Sequence, residues 1–173
     1  MIENMANKIY FLFLVAILAC VSCSQQAPKP KPASLGKGQV FQEQAQKGPS
    51  LITLDAYRRA LRPFLYAIAT VESRNNDDAV GDNGRAIGRY QIWKSYWSDA
   101  VDYAPAIGGQ YSDCKNQEYA ERIMIAYLLR YAGEAVRTKD HKALARTHNG
   151  GPKGARKNAT LKYWDKVREI LDS

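Results

Sequence analysis

From Leu51 to the end of the chain, apolar residues recur at helical spacing and almost never alternate, and this stretch holds one cysteine, Cys114. Such a chain must close its core by packing helix on helix, because one thiol builds neither an intradomain disulfide nor a cysteine-based zinc site. The expected fold class is mainly α, with a loop-rich segment and little or no β. At 173 residues the chain has room for one domain with appendages and a core that needs no covalent staples.

Start and stop signals divide that domain into helices. Cap-forming residues open a helix over Thr53 to Arg62, and Pro63, suited to a first turn, restarts a second that runs to Ser73 with Phe64, Leu65, Ala67, Ile68 and Val71 on its core face. Lys94 to Asp102 predicts a short helix. Asn116 caps a long one through Tyr131, whose Tyr119, Ile123, Met124, Tyr127, Leu128 and Tyr131 share a face read as core packing. Asp140 caps a helix to Thr147 that Asn149-Gly150-Gly151-Pro152 stops, and Thr160 caps a final helix burying Trp164, Val167, Ile170 and Leu171. No internal repeat is present.

The first 50 residues have a different character. Ile9 to Val21 is an apolar run too short for the roughly 20 residues that span a bilayer, but suited to the core of an export signal. It leads into Cys20 and Cys23, each in a stretch that resembles a bacterial lipobox, so residues 1–23 are expected to be a signal with lipidation at Cys20 or Cys23. The alternative is an ordinary cleaved signal. Residues 24–50, with Pro28-Lys29-Pro30-Lys31-Pro32 and few apolar side chains, predict a disordered tether, leaving residues 51–173 as the folded domain. No Asp stands at the second mature position after either cysteine, which by analogy with lipoprotein sorting favours the periplasmic face of an outer membrane over a secreted or soluble periplasmic protein.

The chemistry concentrates where the second helix ends. Splitting a sugar acetal near neutral pH needs a proton on the leaving oxygen, and a carboxyl group with the ordinary Glu value of about 4.3 has already lost it. An apolar wall on one side favours the neutral form. Glu72 leaves just such a helix, and Asp82, between Gly81 and Asn83, lies in a wetter loop where a carboxylate stabilises or attacks an oxocarbenium-like centre. The bland alternative is a solvated helix-end Glu followed by an ordinary Asp-Asn-Gly turn.

Around this pair, Tyr90 and Gln91 offer a ring and an amide to a sugar, or they brace the loop. His148 and Asn149 precede Gly150 and Gly151, which allow a substrate close to the backbone or simply end a helix. Ser73 could orient Glu72 or serve the helix end, and Tyr163 could close the cleft or pack. The net charge of +8 favours anionic surfaces such as cell-wall polymers and lipid headgroups. No nucleic-acid reader motif accompanies it. No cofactor or metal is expected.

Residues 72 to 92, ESRNNDDAVGDNGRAIGRYQI, resemble the Glu-Ser to Gln-Ile signature of the lysozyme-like superfamily, which includes lytic transglycosylases and goose-type lysozymes. Tyr96-Trp97-Ser98-Asp99, then Arg146-Thr147-His148-Asn149-Gly150-Gly151-Pro152 and Tyr163-Trp164, follow the order of invertebrate-type, destabilase-like lysozymes. The resemblance spans about residues 64 to 168. It implies a lysozyme-like helical domain with Glu72 as general acid and Asp82 as second carboxylate. The implied activity is that of a muramidase cutting β-1,4 bonds between N-acetylmuramic acid and N-acetylglucosamine, with peptidoglycan strands as partner; the Cys20/Cys23 region adds the expectation of a lipid anchor in the membrane, and a monomer is assumed.

The chain also departs from that pattern. Ile87 and Ala100 stand where Cys is usual, Arg89 stands where Pro is usual, and the loop from Asp82 to Gln91 is about one residue short. Gly84 to Gly88 reads GRAIG, without the Ser credited with isopeptidase activity in some members, so that activity is not expected. Two alternatives remain: a lytic transglycosylase, which forms 1,6-anhydromuramyl ends without a second carboxylate, and an inactive wall-binding lipoprotein.

Overall fold

The computed structural model describes residues 48–173, so the expected signal, both candidate lipidation cysteines and nearly all of the expected tether lie outside the described residues. The first helix, α1 (Leu51–Ala60), begins earlier than Thr53, because the Ser50 hydroxyl accepts the Thr53 backbone N–H at 3.2 Å and caps it. Leu61 turns the chain directly into α2 (Arg62–Ser73), with Pro63 in its first turn. That helix stops at Arg74 and Asn75, both left-handed, whose N–H groups return to the Thr70 and Ala69 carbonyls.

A small antiparallel sheet follows, with strands β1 (Val80–Gly81), β2 (Ala86–Ile87) and β3 (Ile92–Trp93) in sequential order. Val80 pairs with Ile87 and Ile87 with Ile92, so the segment folds back twice. Two-residue strands are too short for a period-two pattern to be read, yet they give the loop its shape. Gly88, at φ +73, is required here: a Cβ would lie 2.2 Å from the Cys114 carbonyl oxygen. Arg89 clasps Asp77 through two hydrogen bonds of 2.6 and 3.0 Å, pinning the loop where the family pattern has a proline.

The remaining helices close the core. After α3 (Lys94–Tyr103) and a 3₁₀ turn at Tyr111–Lys115, Asn116 accepts the Tyr119 N–H and starts α4 (Gln117–Thr138). The expected end at Tyr131 coincides with a break at Ala132, φ −144, beyond which the helix resumes. Asp140 caps α5 (His141–Gly150), which runs past Thr147 until Gly151 ends it. Thr160 does not cap α6 (Leu161–Leu171) with its side chain as expected. Its hydroxyl turns back toward the Gly154 and Lys157 carbonyls, at 2.8 and 2.7 Å, and accepts from Arg146.

Ile123, Met124, Ile125 and Leu128 of α4 are fully buried among Leu54, Phe64, Leu65, Ile68, Leu144 and Val167. Each such side chain contributes about 1.5–3 kcal/mol of burial. Charge ties α1 to the same helix: Arg122 reaches Asp55 at 2.8 Å and Arg58 reaches Glu121 at 2.8 Å. The Arg122 and Arg58 guanidiniums hold the Asp55 carboxyl down at about 2. Cys114 is a free, buried thiol, and burial pushes it up to about 12. No helix among the described residues is long and apolar enough to cross a membrane.

Candidate active site

The last turn of α2, the sheet and its turns, the start of α3 and the end of α5 enclose a cleft of about 450 Å³. Glu72, Asp82, Gln91, His148 and Asn149 all line it, so five residues singled out in the sequence meet on one surface. Around them stand Trp93, Ser95, Tyr96, Asp99, Tyr127, Gly151 and Pro152.

Glu72 reaches this surface because α2 buries its other face, leaving the carboxylate at the rim of the core with 19% of the side chain exposed. The Tyr163 hydroxyl of α6 donates to Glu72 Oε1 at 2.7 Å, and His148 Nε2 of α5 lies 3.4 Å from the same oxygen. Oε2 has no hydrogen-bond partner among the described residues. Burial and the adjacent Glu72 charge raise the Tyr163 phenol well above its ordinary value, so it remains a neutral donor.

His148 is positioned from its other side. Its Nδ1 is 3.2 Å from the Tyr96 hydroxyl, and the Tyr96 ring stacks on Tyr127 at 3.5 Å between centroids. Burial first, then Tyr127 and Glu72, pushes Tyr96 up as well. Tyr131 donates to Asp99 Oδ2 at 3.0 Å.

Asp82 occupies a different environment. It is exposed at the β1–β2 turn, where Asp82 and Asn83 both take left-handed conformations, φ 49 and 56. The Trp93 indole N–H donates to its Oδ2 at 3.0 Å, and Arg85 Nε donates to its carbonyl at 3.0 Å. Gln91, also left-handed, donates its amide to the Gly88 carbonyl. Its Oε1 fills the space a Cβ on Gly81 would need, at 2.1 Å.

Four residues expected at the substrate do not line the cleft. Ser73 does not orient Glu72: its hydroxyl donates to the Arg89 carbonyl at 2.9 Å and accepts the Asn76 N–H, fastening the helix end to the loop. Tyr90 is buried away from the cleft and donates to Glu121 at 3.0 Å, which makes it the loop's brace. Gly150 does not line the cleft; a Cβ there would meet Thr160 at 2.5 Å, so it serves the packing of α5 on the segment before α6. Tyr163 reaches Glu72 from behind and is not among the lining residues.

The lining residues not singled out as site residues were Trp93, Ser95, Tyr96, Asp99, Tyr127, Gly151 and Pro152. The signal for Tyr127 was chemical: phenols on an otherwise aliphatic helix face need a polar partner or a wet cavity.

A model of the destabilase family matches residues 63–170. The lysozyme of Ostrea edulis is 39% identical over 89 residues, covering 50% of this chain and 62% of its own length, and that of Meretrix lusoria is 32% identical over 109 residues, covering 61% and 86%. The chain thus spans about three-fifths of the Ostrea edulis relative and 58% of the Magallana gigas one. The solved structure of Tapes japonica lysozyme superposes with a TM-score of 0.54 at 27% identity, covering 63% of this chain and 89% of that chain. Meretrix lusoria lysozyme in complex with Aeromonas hydrophila PliI gives 0.53 at 28%, covering 63% and 88%. The family match takes in the helix that carries Glu72, the loop that carries Asp82 and the helix that carries Tyr163. This chain belongs to the destabilase family.

Proposed function

We propose that this chain is a muramidase that hydrolyses the β-1,4 bond between N-acetylmuramic acid and N-acetylglucosamine in peptidoglycan strands. The observation that carries the reading is the cleft itself, on which an apolar-backed Glu72 and a solvent-facing Asp82 stand together beside Gln91, His148 and Asn149. Lysozymes among its relatives support it.

In this reading Glu72 is the general acid. Tyr163 and His148 engage Oε1, so Oε2 is the oxygen free to carry the proton to the leaving group. Asp82, oriented by the Trp93 N–H, stabilises or captures the anomeric carbon as positive charge develops there, and water completes the reaction. Gln91 and Asn149 supply amides at the cleft for the sugar hydroxyl and N-acetyl groups. A reducing-end assay on purified peptidoglycan tests the proposal: the parent protein generates new ends, and Glu72→Gln, correctly folded, does not.

We also propose that Cys20 or Cys23, outside the described residues, is lipidated and holds the domain near the cell wall at a membrane. Intact mass of the full chain from the membrane fraction of a Gram-negative host should show the acyl modification. Unmodified, soluble periplasmic protein would replace this with a cleaved signal.

A further inference from the structure

A second cavity, of about 360 Å³, lies beside the cleft, lined by Gly84, Arg85, Trp93, Lys94, Ser95 and Tyr111. Trp93 and Ser95 also line the cleft, so the two hollows share a wall. Trp93 is 40% exposed, and its indole N–H reaches Asp82. A group seated in the second cavity is therefore next to whatever occupies the site of cleavage.

The lining of this cavity has one sign. Arg85 and Lys94 are its only charged residues, and neither has a carboxylate within ion-pair distance among the described residues. Arg85 is also held in place. Its Nε donates to the Asp82 carbonyl, its guanidinium carbon sits 4.8 Å from the Trp93 ring centroid, and its own carbonyl accepts the Tyr111 hydroxyl at 2.9 Å. A guanidinium fixed in this way retains its outer N–H groups for a planar anion, at little further cost in side-chain entropy. The aromatic faces of Trp93 and Tyr111 add area for a partly apolar ligand, and the volume falls within the range of about 300–1,000 Å³ typical of binding pockets.

We propose that this cavity binds the carboxylate-bearing peptide attached to a muramyl residue, and that it makes the enzyme prefer peptide-substituted strands to bare glycan. The inference rests on the muramidase reading given above. A strand stripped of its peptide keeps only the single lactyl carboxylate close to each muramyl ring, whereas a peptide substituent extends outward and brings both a side-chain carboxylate and a terminus to the two cations.

The test compares peptidoglycan strands before and after enzymatic removal of their peptides, using the full chain and Lys94→Glu. Lys94 is exposed at the first turn of α3 and lies outside the cleavage cleft, so its reversal leaves the fold and the activity on stripped strands intact. The parent should cleave intact strands with a kcat/KM roughly ten-fold above stripped ones, and Lys94→Glu should remove most of that preference through KM. A second measurement needs no turnover: titrating a soluble tetrapeptide of stem composition into the full chain should shift the Trp93 indole N–H resonance saturably, and Lys94→Glu should abolish the shift. Equal cleavage of both substrates by the parent, or a missing resonance shift, overturns the inference. If the peptide binds while neither substrate is cleaved, the muramidase reading has failed and the peptide site stands.

Discussion

Glu72 sits in the last turn of α2 with most of its side chain covered, and residues from α5 and α6 converge on one of its oxygens, whereas Asp82 is exposed on a two-strand turn and is held by a single indole N–H. The first carboxylate is placed by the packing of three helices, the second by a few loop contacts. On the proposed reading the proton donor is thus a product of the core, while the charge-stabilising partner depends on local backbone geometry, including two successive left-handed residues. Damage to the two should look different in kinetics.

The largest effect is expected at the helical carboxylate. Glu72→Gln should lower kcat by about 10²–10⁴-fold with little change in wall binding, because the amide keeps shape but cannot donate the proton. Asp82→Asn should cost about 10²–10³-fold, again in kcat, since its charge acts on the transition state. Substantial activity in Asp82→Asn together with anhydro ends would shift the reading to a transglycosylase and reduce the loop residue to a structural one.

Smaller effects sharpen the contrast. Trp93→Phe keeps the ring but removes the N–H, and a hydrogen bond to a charged acceptor at an exposed site suggests a loss of roughly ten-fold in kcat. In an Asp82→Asn background the same change should do almost nothing, and a double-mutant cycle on kcat measures that dependence. Were Trp93→Phe equally harmful in both backgrounds, the Trp93–Asp82 contact would be a packing feature only.

The smallest expected effect lies outside the site. Asp55 is held down at about 2 by Arg122 and Arg58, so its contribution is fully present above the ordinary carboxyl value near 4 and is lost as pH falls toward 2. Asp55→Asn should cost about 1 kcal/mol of stability at pH 7, allowing for solvent screening. Urea unfolding between pH 7 and 2 should show that difference shrinking below pH 4.

The same contrast explains what could be read from the chain. Six helices were legible because apolar spacing and caps such as Asn116 and Asp140 are local signals, and Glu72 could be placed at a core rim for that reason. The sheet was not, since strands of two residues leave no alternation to detect. Ser73 and Tyr90 were read as possible substrate contacts, yet the fold uses both hydroxyls to hold the loop, to Arg89 and to Glu121. Those partners are 16 and 31 positions away, beyond any local pattern. Tyr127 was read as packing and does pack, on Tyr96, while also forming the cleft wall, a double role that periodicity cannot separate.

The central claim is that Glu72 and Asp82 act together on one glycosidic bond with water as the acceptor. Digesting purified peptidoglycan in ¹⁸O-labelled water and weighing the released fragments tests it most directly. The account predicts reducing muramyl ends carrying the label, and their loss in Glu72→Gln and Asp82→Asn alike. Unlabelled 1,6-anhydro ends, or labelled ends released undiminished by either variant, would contradict it.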